Sequence, residues 1–224
     1  MVHVELASDH DVNNCELAAI KELVRHAYRL RGLVIQSNFT VLDTFCSAKK
    51  ILQRNSGPIF PRLQKLGLHP YEYFSDVLIP WFSEFHTNLQ EVSISGNINP
   101  RDFGITHSGL TVFRATTHTG TRQFQNINDI LNGSKETLKQ LEISLTPSIS
   151  ISAAATYFDA VISMKNLRHL STTYNCQWIF NTILQELELP ILESLSLEHY
   201  CPISLVPDIT ALKGVKKSLR RLCL

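Results

Sequence analysis

Nine histidines and five cysteines are the side chains here best able to hold a metal or attack a carbonyl. Their spacing does not support either use. Cys15, Cys46, Cys176, Cys201 and Cys223 are scattered, with no Cys-x-x-Cys pair of the kind zinc favours. The best partial ligand set is Cys176, Cys201 and His199, which lacks a fourth member. Buried small thiols are the ordinary reading of that cysteine pair. No Gly-rich phosphate loop and no nucleophile elbow occurs, and Thr119-Gly120-Thr121-Arg122 reads as a turn. A noncatalytic chain without metal or cofactor is therefore expected. What remains is recognition chemistry, carried by charge pairs and aromatic anchors. Lys65 with Glu91, and Arg114 with Glu142, are opposite charges separated by 26 and 28 residues.

Those separations match a repeat. The phrase Leu-x-x-Leu-x-Leu, or a conservative version, starts at Met1, Leu30, Leu63, Leu89, Leu110, Leu138, Leu167, Leu192 and Leu219. Successive starts lie 21 to 33 residues apart. Recurrence at this period marks a solenoid. Within each unit, positions 1, 4 and 6 are apolar and positions 3, 5 and 7 are mostly polar, as in a short strand with one buried face. Strands are expected at about 3–7, 32–36, 65–69, 91–95, 112–116, 140–144, 169–173 and 194–198, paired parallel in sequence order. At position 9, Asp9, Asn38, Asn97 and Asn175 can bond the turn leaving the strand. The returning segments read mostly as helices. Leu17, Ile20, Leu23, Val24 and Ala27 follow a capping-box pattern at Asn13 and Glu16. Phe74 to Phe85, Phe158 to Ile162 and Ile179 to Leu184 give further helical stripes, the first interrupted by Pro80. The short unit from Leu89 carries Gly96, Pro100, Gly104 and Gly109, and an extended return is expected there.

In-phase strands fix which residues are neighbours. Position 3 carries Lys65, Glu91, Gln140 and His169. Position 5 carries Arg114 and Glu142. Position 7 carries His69 and Glu198. Same-position residues of adjacent units sit about 5 Å apart, so the two opposite-charge pairs are within reach of a lateral ion pair. Such pairs can satisfy each other or face a partner. Aromatic residues gather after the strands. Tyr174 and His199 share position 8 of adjacent units, and Tyr200 follows. The candidate binding residues are thus Lys65, His69, Glu91, Arg114, Gln140, Glu142, His169, Tyr174, Glu198, His199 and Tyr200. Trp178 and Tyr200 packing beneath a loop is the competing reading of the rim.

Composition limits the partner class. Twenty-one Lys and Arg oppose 20 Asp and Glu, for a formal charge of +1, so no nucleic-acid or membrane affinity is expected. Lys213, Lys216, Lys217, Arg220 and Arg221 form one basic cluster, read as a solvated helix end or a phosphate or partner contact. The unpaired cysteines suit a reducing compartment, cytoplasmic or nuclear. Glu5, Asp9, Asp11 and Glu16 break the first twenty residues, which do not read as a signal peptide.

The repeated phrase resembles the leucine-rich repeat family, in its ribonuclease-inhibitor-like and F-box-associated branch, over essentially residues 1–224. The resemblance implies an α/β horseshoe of about nine repeats, with a parallel concave sheet and convex helices, forming a single domain. It implies a noncatalytic protein-interaction scaffold whose concave face takes a protein partner. Substrate recognition for a ubiquitin ligase is the leading expectation. GTPase activation, or an innate-immune or signalling role, is the alternative. No F-box segment is read within residues 1–224, which open on the strand residues Val2-His3-Val4-Glu5-Leu6. The motifs reach both termini, so the array is expected to lack caps, and a ligase adaptor would dock through a module outside this sequence.

Overall fold

The computed structural model describes residues 2–8, 14–37, 60–70, 88–95, 109–118, 121–146, 161–174, 187–199, 215 and 218–223. It is an α/β protein that divides into two compact units, Met1–Ile105 and Thr106–Leu224. The helical stripes expected at 74–85 and 179–184, the position-9 amides and the return expected after Leu89 lie outside the described residues, apart from Gly109.

The first unit is built on four parallel strands, β1 (Val2–Ser8), β2 (Leu30–Ser37), β3 (Lys65–Pro70) and β4 (Glu91–Ser95). Between β1 and β2 lie helix α1 (Asn14–Arg25) and a 3-10 turn, Ala27–Arg29. The stripe anticipated from the sequence buries Ile20, Val24 and Ala27, at i, i+4 and i+7. On the exposed side, Glu22 accepts a bond from Arg25 (3.0 Å) and meets His26 (2.9 Å). The Arg25 bond first, then His26, lowers the Glu22 carboxyl below its usual range.

The second unit holds five parallel strands, β5 (Val112–His118), β6 (Gln140–Thr146), β8 (His169–Tyr174), β10 (Ser194–His199) and β11 (Arg221–Cys223). Helix α2 (Thr121–Ser134) joins β5 to β6. Thr121 and Arg122, expected in a turn, are its first residues. Ile127, Ile130 and Leu131 recur at i, i+3 and i+4 and are buried. The helix closes where the buried Ser134 hydroxyl donates to the Ile130 carbonyl (2.6 Å). Two short strands, β7 (Ile162–Ser163) and β9 (Leu187–Glu188), pair parallel in a separate sheet. Ile162 is therefore extended, not the end of a helix. Its side chain is buried, while Val161 stays 55% exposed.

Register follows the motif arithmetic. Leu33 pairs with Leu66 and Leu66 with Val92 in the first unit. Phe113, Leu141, Leu170, Leu195 and Leu222 follow one another in the second. Positions 1, 4 and 6 of every fully described unit are buried, from Leu30, Leu33 and Ile35 to Leu192, Leu195 and Leu197. Each fully buried leucine contributes roughly 1.5–3 kcal/mol through surface removed from water. The last motif departs from the pattern. Leu219 is half-buried and Leu222 is 42% exposed. Arg221, a member of the basic cluster at position 3 of the last motif, stands in β11 beside Ser194.

The buried repeat also extends upstream of the phrase. In four units the position-1 residue donates its N–H to the carbonyl of a buried residue three places earlier, while Leu138 and Leu219 reach four places back, to Ser134 and Val215. Leu30 bonds Ala27, Leu63 bonds Phe60 (3.1 Å), Leu167 bonds Met164 (3.3 Å) and Leu192 bonds Leu189 (3.4 Å). In those four units the turn aims the chain into the strand and adds one more buried residue to the core.

One core position is polar. Thr172 occupies position 6 between Ile143 and Leu197, is buried, and its hydroxyl has no hydrogen-bond partner among the described residues. An unpaired buried hydroxyl is destabilising, and valine has nearly the same shape. Thr172→Val should therefore raise stability by about 1 kcal/mol. In a chain of this size that is a rise of about 2–4 °C in Tm. A drop in Tm would mean the hydroxyl is satisfied.

Candidate functional site

Strand alternation places positions 3, 5 and 7 on the sheet face opposite the core. In the first unit this face carries Lys65, His69 and Glu91. Lys65 Nζ lies 2.9 Å from Glu91 Oε1, the lateral pair expected from position 3. His69 Nδ1 lies 3.2 Å from the Ser95 hydroxyl, one unit along at position 7. Gly67, between Lys65 and His69 at position 5, leaves room that Val34 fills.

In the second unit the same face carries Arg114, Gln140, Glu142, His169 and Glu198. Arg114 Nε donates to Glu142 Oε2 at 3.2 Å, the second expected pair. Glu142 is next to Ser171 in register, and Gln140 is next to His169. Arg114 and His169 are thus two strands apart on one face. His169 is exposed and Gln140 half-buried. Thr173 Oγ1 donates to Glu198 Oε2 at 3.5 Å, again between same-position neighbours. The aromatic rim is described only by its backbone, where Tyr174 and His199 are register partners. Their side chains, and all of Tyr200, Cys176 and Cys201, lie outside the described residues.

The same-position rule holds more widely than these two charge pairs. Lys165 Nζ meets Glu136 Oε1 at 3.0 Å, and Arg168 meets Glu193 at 2.6 Å. These pairs lie just before the strands, at positions −1 and 2. Asparagines one residue before the first leucine act similarly. Asn88 donates to the Pro61 carbonyl (2.9 Å) and Asn166 to the Glu136 carbonyl (2.6 Å). The Asn-Leu dipeptides at 88–89 and 166–167 were the legible signal for this device.

The face can offer charge, hydroxyl and amide groups to a bound surface. Its ion pairs are a quarter to a half exposed, and each contributes about 0–1 kcal/mol to stability. Among the described residues, no group of three His, Cys, Asp or Glu is placed to hold a metal. No helix among them is long and apolar enough to cross a membrane. Comparison with known proteins returned no matching family model, no matching curated protein and no matching solved structure.

Proposed function

We propose that this chain is a noncatalytic protein-interaction scaffold of leucine-rich-repeat type, a horseshoe of about nine repeats whose concave face binds a protein partner. The observation that carries this reading is the in-register face of the second unit. There Arg114, Glu142, Gln140 and His169 stand on adjacent parallel strands over a leucine core. A rigid sheet presenting such side chains at fixed spacing is suited to recognition, because little side-chain and backbone order must be gained on binding. Convex helices in the manner of α1 and α2 complete the proposed repeat. The likeness of the motifs to F-box-associated repeats extends the proposal to substrate recognition for a ubiquitin ligase.

A charge swap separates recognition from internal pairing. Arg114→Glu combined with Glu142→Arg keeps an ion pair within the chain and reverses the field a partner meets. Stability should change by no more than about 1 kcal/mol. Partners captured from cell extract by the wild-type chain would be identified, purified and titrated by calorimetry. Binding to the swapped chain should fall by about tenfold or more, since like charges then face each other. Equal affinity of both chains would show that the pair serves the sheet alone and that this face is not the site.

A further inference from the structure

Among the described residues, every ion pair between neighbouring motifs joins residues at the same motif position. Lys65 meets Glu91, Arg114 meets Glu142, Lys165 meets Glu136 and Arg168 meets Glu193. One edge of the first unit breaks that rule. Carried back three residues through the turns before β2 and β3, the Gly32–Lys65 register matches Arg29 with Arg62, both immediately before the first leucine of their motifs. Both are exposed, and so is Arg31 two residues further on. Gln64 donates its backbone N–H to the Arg31 carbonyl, so this edge is one continuous layer. Tyr28 completes it. The residue is 55% exposed, its ring tilted against His26 at 6.4 Å between centroids.

The described side chains of this unit do not compensate the local charge. Among side chains described in this unit the carboxylates are Glu22 and Glu91. Glu22 is engaged by Arg25 and His26, and Glu91 by Lys65. Arg29, Arg31 and Arg62 have no carboxylate within ion-pair reach among the described residues. Two guanidinium groups at matching positions of neighbouring turns repel unless an anion lies between or above them. Arginine is the cation that grips a carboxylate in two parallel hydrogen bonds. Tyrosine beside arginine is the composition of interface anchors.

We infer that the strand-entry edge formed by Tyr28, Arg29, Arg31 and Arg62 is a docking surface for an acidic, Asp- and Glu-rich segment of a protein partner. The edge is distinct from the second-unit face proposed above and does not depend on that face binding anything. An exposed tyrosine among the arginines favours a polypeptide, whose apolar side chains can bury the ring while its carboxylates pair with the guanidinium groups. The near-neutral chain as a whole has no broad positive field of the kind that gathers nucleic acid.

The test is a fluorescence-anisotropy titration of the full chain with a labelled ten-residue peptide alternating Glu, Asp and Leu, at two salt concentrations. A Ser- and Gly-rich peptide of equal length and a ten-nucleotide RNA are the comparison probes. The acidic peptide should bind, the neutral one should not, and raising salt should weaken the complex. Arg29→Glu/Arg62→Glu should reduce affinity at least about tenfold, while Lys135→Glu/Lys139→Glu, on exposed cations elsewhere, should change it less than about twofold. Arg29→Lys/Arg62→Lys keeps the charge and should still lose affinity severalfold. Circular dichroism checks that each variant remains folded. Should the two reversed pairs weaken binding equally, or the lysine variant bind as well as wild type, the site is not built for carboxylates at this edge. Tighter binding of the RNA than of the acidic peptide overturns the assignment of a protein partner.

Discussion

Truncating Phe113 to alanine should destabilise the second unit by about 3–5 kcal/mol, a large part of a typical domain's net stability. Phe113 is fully buried at position 4, next in register to Leu141, with Leu170 and Leu195 following in line. The small Ala115 stands two residues along the same strand and is also buried. Alanine at 113 would leave that stretch of the core with two small side chains in succession on one strand, and the space would be filled only in part. Leu170→Ala in the same line should cost roughly 2–5 kcal/mol. Leu222 provides an internal comparison. It holds the same motif position in β11 but is 42% exposed, so Leu222→Ala should cost less than about 1 kcal/mol. Urea unfolding of the three variants decides the matter. A Phe113→Ala cost no greater than that of Leu222→Ala would mean that position 4 is not a continuous core.

Parallel, in-register pairing made much of this chain legible. Because each strand repeats the phase of the previous one, subtraction of residue numbers alone put Lys65 beside Glu91 and Arg114 beside Glu142. The strands at 30–37, 65–70, 112–118 and 169–174 follow from the two-residue alternation that buries leucine and exposes polar groups. The parts that escaped lie where that alternation stops. Thr119-Gly120 in front of helix α2 reads as a turn, and only the later Ile127, Ile130 and Leu131 disclose the helix. Ile162 sits in an apolar stretch too short to separate strand from helix by period, and pairing with Leu187 resolves it. The Arg29–Arg62 edge was hidden for another reason. Neither arginine stands out by itself, and their significance arises only when the register is extended backward through the turn that precedes each first leucine. The rows of small hydroxyl side chains on the sheet face carry no comparable instruction. Ser93, Ser171 and Ser196 fit a solvated strand as readily as a bound one.

Substituting Gly67 by valine should cost about 1–3 kcal/mol, and the loss should depend on Val34. Gly67 lies at position 5 of β3, paired with Val34 on one side and Ser93 on the other. A β-carbon placed on it would stand 3.0 Å from Val34 Cγ1, 3.1 Å from Cγ2 and 3.3 Å from His69 Nε2. The first two distances are shorter than carbon atoms tolerate without displacement. Alanine adds only that one carbon, and a strand gains roughly 0.5–1 kcal/mol when glycine is replaced, so Gly67→Ala should be near neutral. Valine adds two more carbons and has a stiff first torsion, which removes the easy escape. The Val34 side chain must then move, or β3 must shift from β2 and carry His69 away from Ser95. Val34→Ala removes the obstacle, so the double variant should recover part of the loss, with a coupling of about 0.5–3 kcal/mol in a thermal-unfolding cycle. Ser93→Val, in the same row at a half-buried site, should be tolerated within about 0.5 kcal/mol. Strict additivity of Val34→Ala and Gly67→Val would show that the glycine is not needed for close approach. In that case its presence at position 5 would have no packing cause.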